Sequence, residues 1–110
     1  MLIAERTLKI RTLTENIDVP ISIYVPREVS DSWQCKFTIG WPDGEIRMDV
    51  HGSDSVQAIE LALKTIGAFL YASDYHVSGK LTWLEPGKGY GFPVPNNLRD
   101  TLIGDDQKFF

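Results

Sequence analysis

Trp83, Tyr90 and Phe92, set among Lys80, Lys88 and alternate glycines at 87, 89 and 91, are residues whose types and spacing could do chemistry. Aromatic rings on an exposed strand-and-loop platform stack unpaired bases, worth roughly 1–3 kcal/mol per base, and neighbouring lysines attract the phosphates. The alternate glycines also have the spacing of a phosphate cradle. Such loops feed a helix N-terminus, however, and Pro93 and Pro95 forbid a helix immediately afterwards. His51 and His76 have no metal-ligand spacing with carboxylates or with Cys35, which points to structural or solvent-facing histidines. Asp105-Asp106, after Gly104, reads as a solvated tail rather than a cation site. The chain has no nucleophile elbow, no HExxH and no paired carboxylates with a partner base. These features predict a non-catalytic protein with no cofactor and no metal.

The run GKLTWLEPGKGYGFPVP, residues 79–95, resembles the first RNA-binding motif of the cold-shock domain. Gly79, Trp83, Lys88, Gly89, Tyr90, Gly91, Phe92 and Pro95 match that pattern without a gap. The resemblance implies single-stranded nucleic-acid binding through Trp83, Tyr90 and Phe92. The sequence departs from the pattern at Thr82, at Leu84-Glu85 and at Pro93, which has no N–H to donate to a second platform strand. A second resemblance spans more of the chain: DSVQAIELALKTIGAFLYASD, GYGFPVP, LRD and IGDD together look like a family of small uncharacterised bacterial proteins, a domain of unknown function. It implies a shared fold, with the glycine-proline loop and the Arg99–Asp106 segment inside one domain.

Charge weighs against nucleic acid. Eleven Lys and Arg against fifteen Asp and Glu leave a formal −4, which opposes phosphate and suits a basic partner. The loop therefore reads as a closing strand and rigid connection, with Trp83 packed inward and Tyr90 and Phe92 covering one end of the core. A protein-contact surface is expected on the exposed phase of the strands, where Tyr24, Lys36, Arg47 and His51 share one face with Thr38 and Asp49. The preferred role is a protein-interaction module, immunity-like or accessory to another protein. Phe109 and Phe110 as unmatched apolar bulk, and an uncovered sheet edge, lean towards a homodimer. No segment has the form of a signal peptide or a membrane span, and the lone Cys35 reads as a buried thiol, so the cytoplasm is the expected location.

The elements that must position these residues follow from periodicity. At 110 residues the chain is expected to form a single domain, 1–110. Apolar residues alternate over Leu8–Ile10, Val19–Val25, Trp33–Trp41 and Ile46–Val50. Pro20 and Pro26 mark the second run as an edge or strand end, and Pro42-Asp43-Gly44 joins the last two as a hairpin. Asp54 with Gln57 predicts a capped helix to about Ser73, its apolar stripe being Val56, Ile59, Leu63, Ile66 and Leu70. Gly67 inside that helix implies close packing. Leu81–Leu84 predicts another strand, and Asn96 or Asn97 a cap for a short terminal helix carrying Leu98, Leu102 and Ile103. Phe37, Ile39, Met48, Val50, Ile59, Leu63 and Ile66 are the expected core. The fold class is α+β: an antiparallel sheet of four to five strands, one long helix packed on one face, and a short C-terminal helix.

Overall fold

The computed structural model describes residues 1–110 and has that α+β architecture. Its sheet is antiparallel and comprises β1 (Leu2–Arg11), β2 (Asn16–Tyr24), β3 (Arg27–Val29), β4 (Ser32–Trp41), β5 (Gly44–Gly52) and β6 (Leu81–Thr82). The nine-residue β2 and the three-residue β3 act as one interrupted strand. β2 pairs β4 from Ile21↔Ile39 to Ile23↔Phe37, β3 pairs the same edge of β4 through Arg27↔Gln34, and the chain breaks step at Val25-Pro26. β1 pairs β2 along its whole length, and β6 joins the far edge of β1 at Lys9 and Ile10. β2 is thus an interior strand rather than the edge that its prolines suggested. Pro20 is accommodated because the β2–β4 ladder stops at Ile21, one residue before the missing N–H would be needed.

The predicted Trp33–Trp41 and Glu45–His51 hairpin forms, and its register sets Cys35, Phe37 and Ile39 opposite Val50, Met48 and Ile46. The long helix α1 (Ser55–Ala72) follows directly and lies across β4 and β5. Asp54 caps it by accepting from the Gln57 N–H at 2.8 Å. The Gln57 side chain returns the bond to Ser53 N–H at 2.6 Å, one residue earlier than in the standard capping box. Beyond α1, a single helical turn α2 (Asp74–Val77) is capped by Ser73. Tyr75 in that turn stacks on Trp41 and donates to Asp43 at 3.1 Å, tying the hairpin tip to the helix end.

The buried face of α1 is rotated from the expected stripe. Ala58, Ala62, Ile66, Gly67, Leu70 and Tyr71 are buried, Ile59 and Leu63 only partly, and Val56 is 70% exposed. The cause is the entry to the helix. Gly52 packs so tightly that a Cβ there would sit 2.5 Å from the Ala58 nitrogen, so the small side of the helix must face the sheet. Gly67 is equally crowded, its own Cβ position falling 1.9 Å from the Pro93 carbonyl oxygen. Met48, on the outermost strand, is 36% exposed and stands at the margin of the core.

Leu8, Ile10, Val19, Ile21 and Ile23 bring β1 and β2 into the same core, completed by Tyr90, Phe92, Val94 and Leu102. β6 is shorter than predicted because Leu84 adopts a left-handed φ of 60° and turns the chain. The segment expected to be a capped helix near 97–103 is a 3-10 helix, Asn96–Thr101, preceded by Pro95 and without a side-chain cap. The C-terminal helix is one turn later, α3 (Asp106–Phe109).

The helix rotation predicts unequal mutants. Ile66→Ala should cost about 2–5 kcal/mol in denaturant unfolding because Ile66 is fully buried. Val56→Ala should stay within about 0.5 kcal/mol. Comparable losses at the two positions would refute the observed burial.

Candidate functional site

The loop between β6 and the 3-10 helix has no strand partner at Tyr90 and Gly91, so its backbone groups must find bonds elsewhere. Two charged side chains from opposite ends of the sequence supply them. Asp106, at the start of α3 and 1% exposed, accepts from Tyr90 N–H through Oδ2 and from Gly91 N–H through Oδ1, both at 2.8 Å. Arg6 of β1 donates through Nη1 to the Tyr90 carbonyl at 3.2 Å and the Gly91 carbonyl at 3.0 Å. The Tyr71 hydroxyl adds a third bond to the carboxylate, 2.5 Å to Oδ2, and accepts in turn from Ile103 N–H at 3.3 Å. Every buried side-chain polar atom has a partner.

The glycines fit this carboxylate. Gly89 has a φ of 92°, and a Cβ on it would lie 2.5 Å from the Asp106 Cγ. Gly91, φ 74°, passes under Trp83, where a Cβ would meet the ring at 2.5 Å. Only glycine combines that backbone with that clearance. Asp106 is thus the reverse of a solvated tail. Asp105 is exposed as anticipated, and its N–H donates to the Lys88 carbonyl at 2.8 Å, which draws the tail against the loop.

Three aromatic rings share the hub. Tyr71, His76 and Tyr90 pack with centroids 4.7 to 5.5 Å apart, and the Tyr90 hydroxyl meets His76 Nδ1 at 2.5 Å. Burial, reinforced by Asp106, pushes the Tyr71 and Tyr90 phenols well above their ordinary range, so both are neutral. Burial lowers the His76 imidazole, and the tautomer of the neutral ring sets the direction of its bond with the Tyr90 hydroxyl. Burial likewise lowers Arg6, against the pull of Asp106, and raises the Cys35 thiol. No group of three or more His, Cys, Asp or Glu converges as a metal site would require.

The three aromatics of the 79–95 motif have different fates. Tyr90 and Phe92 are 2% and 3% exposed, so neither presents a ring face for stacking. Trp83 is only partly buried, not packed inward as expected. The Arg6 guanidinium lies 3.9 Å above its ring centroid and 4.9 Å from that of Phe92. The outer side of Trp83 lines an open cleft of about 600 Å³ with Leu84, Glu85, Lys88, Phe109 and Phe110. Leu84 and Phe109 are 78% and 75% exposed there.

Tyr24, Lys36, Arg47 and His51 share the opposite, open face of the sheet. The Lys36 ammonium sits 4.5 Å above the Tyr24 ring, and Arg47 pairs with Glu45 at 3.1 Å. Arg6, Tyr71, His76 and Asp106 went unmarked in the sequence as a site. One signal was available for Asp106: a glycine-rich loop with no following helix has spare N–H groups, and an acidic residue soon afterwards can accept them.

The family described as a domain of unknown function (DUF6968) matches residues 4–94, and the chain belongs to that family. The matched span contains Arg6, Tyr71, His76, Trp83, Tyr90 and Phe92 and stops before Asp106. No curated protein and no solved structure matches the chain. No helix is long and apolar enough to cross a membrane.

Asp106→Asn leaves too few acceptors for three donors, and each donor left unpaired should cost about 1–3 kcal/mol, whereas Asp105→Asn should change stability by no more than about 0.5 kcal/mol. Chemical denaturation of both variants distinguishes a hub from a solvated tail. The pH profile carries a sign as well. Because the Tyr71 and Tyr90 pKa values are raised on folding, their stabilisation is full below the unfolded value of 10.0 and is lost as pH rises above it. Titration of the two phenols should therefore coincide with alkaline unfolding, monitored by tyrosinate absorbance and circular dichroism together. Tyrosinate formation at all four tyrosines in the folded protein would contradict this.

Proposed function

We propose that this DUF6968 domain is a non-catalytic protein-interaction module whose cleft between Trp83 and Phe109 takes a basic segment of another protein, anchored by one apolar side chain. The observation that carries the reading is the exposed apolar wall of Trp83, Leu84 and Phe109 standing on a fully hydrogen-bonded base. Large apolar side chains exposed together mark contact sites. Leu84 adds a second indication: a leucine at φ 60° holds backbone strain, and its side chain is presented to solvent rather than buried in return. Glu85 and Asp105 outweigh Lys88 at the rim, and with a formal chain charge of −4 they favour a basic ligand over a phosphate backbone. An accessory or immunity-like role fits such a domain. A reduced, cytoplasmic setting suits its one free and buried cysteine.

Fluorescent peptides of equal length test the proposal: Lys/Arg-rich with a single Leu, Phe or Trp, the same without the apolar residue, and an acidic set. Single-stranded DNA and RNA oligonucleotides complete the panel. The basic, apolar-anchored peptides should bind, and Leu84→Ser and Phe109→Ser should each weaken them about tenfold, or ~1.4 kcal/mol, with unchanged circular dichroism. Oligonucleotide binding that exceeds peptide binding, or peptide binding indifferent to both substitutions, would defeat the proposal.

A further inference from the structure

β5 is an open edge: its one strand partner is β4. The hairpin loop has two residues, Pro42-Asp43, so Trp41 and Gly44 close it as a hydrogen-bonded pair. By alternation, the even-numbered residues of β5 exchange their bonds with β4. The N–H and C=O groups of Glu45, Arg47, Asp49 and His51 therefore point away from the sheet. Between Gly44 and Gly52 there is no proline and no bulge to deter another strand.

We propose that the strand this edge receives is β5 of a second copy of the chain, paired antiparallel about a two-fold axis at Met48. In that register Arg47 stands opposite Asp49 of the second copy, and Asp49 opposite its Arg47. Glu45 faces His51, Ile46 faces Val50, and Met48 faces its own counterpart. The charged residues lie on the open face and the apolar ones on the core side, so every facing pair matches in kind. Within one copy Lys36 is opposite Asp49 and Thr38 opposite Arg47. Pairing extends this into a row of Lys36, Asp49 and the second copy's Arg47 across the seam.

The register is selected by what its neighbours would do. Moving the axis to Arg47 sets Arg47 against itself and Glu45 against Asp49. Moving it to Asp49 sets that carboxylate against itself. Opposite charges directly across a ladder stabilise it and like charges destabilise it, so the sequence EIRMDVH (residues 45–51) favours the Met48 axis over either adjacent one. Met48, 36% exposed in the single chain, acquires apolar cover at the seam. A perpendicular two-fold axis places α1 on the same face in both copies, giving an isologous, closed pair.

Complementary variants test both the interface and its register. Sedimentation of the full chain from micromolar to millimolar concentration should show a monomer–dimer equilibrium. Asp49→Arg places two arginines opposite two arginines, and Arg47→Asp places carboxylates opposite carboxylates. Each variant alone should dissociate at least about tenfold more readily than the native chain. Mixed one to one, they should form a heterodimer at least as tight as the native dimer, since all four facing charges are then opposite. Circular dichroism of each variant establishes that it is folded. A native chain that is monomeric throughout, or variants that dimerise alone as well as they do together, would overturn the proposal. So would a dimer that survives both substitutions and is lost in Phe109→Ser, because the contact would then lie at the cleft.

Discussion

A short stretch of backbone with no strand to pair with organises one whole end of this domain. The N–H groups of Tyr90 and Gly91 go to a buried carboxylate, and their carbonyls go to a guanidinium. Unpaired buried backbone groups are expensive, so the loop can run through the interior only where both charges are in place. From this requirement follow the glycines that clear Asp106, the tyrosine that fills its remaining valence, and the position of Trp83 above Arg6. The burial of Asp106 and Arg6 is tolerable for the same reason. Each is satisfied by several hydrogen bonds rather than left as an isolated charge.

The sheet serves this arrangement from the other side. β1 carries Leu8 and Ile10 into the core and, two residues earlier on the same face, sends Arg6 to the loop. The helix cannot lean far over that end, because Gly67 already touches Pro93. Helix and loop therefore divide the inner face of the sheet between them, α1 over β4 and β5, the loop completing the core beside β1 and β2. Small residues at 52, 58, 62 and 67 let the layers approach closely enough for this to work.

Legibility in the sequence followed the range of the interactions. The hairpin and the Asp54 cap depend on residues close in the chain, and the periodicity of Trp33–Trp41 with Pro42-Asp43-Gly44, and Asp54 with Gln57, was sufficient to read them. The rotation of α1 was not legible, since Val56 and Ala58 exchange roles through a contact with Gly52 that hydrophobicity does not encode. Pro20 misled for a related reason: whether a missing N–H matters depends on where the neighbouring ladder ends. The 79–95 stretch was read as a closing strand and loop with all three aromatics on the core; Tyr90 and Phe92 are inside, but Trp83 is only partly buried and the strand ends at Thr82. Its partners were invisible because Arg6 and Asp106 look like ordinary surface charges until the chain brings them to the same peptide groups.

The separation of those partners has a kinetic consequence. Arg6 meets the loop across 84 and 85 residues of a 110-residue sequence. The meander and the hairpin join near neighbours, so they close small loops at little entropic cost, while the Arg6 clamp closes a far longer loop and is expected to form after them. Interactions absent from the transition state alter the rate of unfolding rather than the rate of folding. The buried ion-and-peptide knot thus acts as a latch: it hardly hastens the chain's arrival at the native state, and it lengthens its stay there.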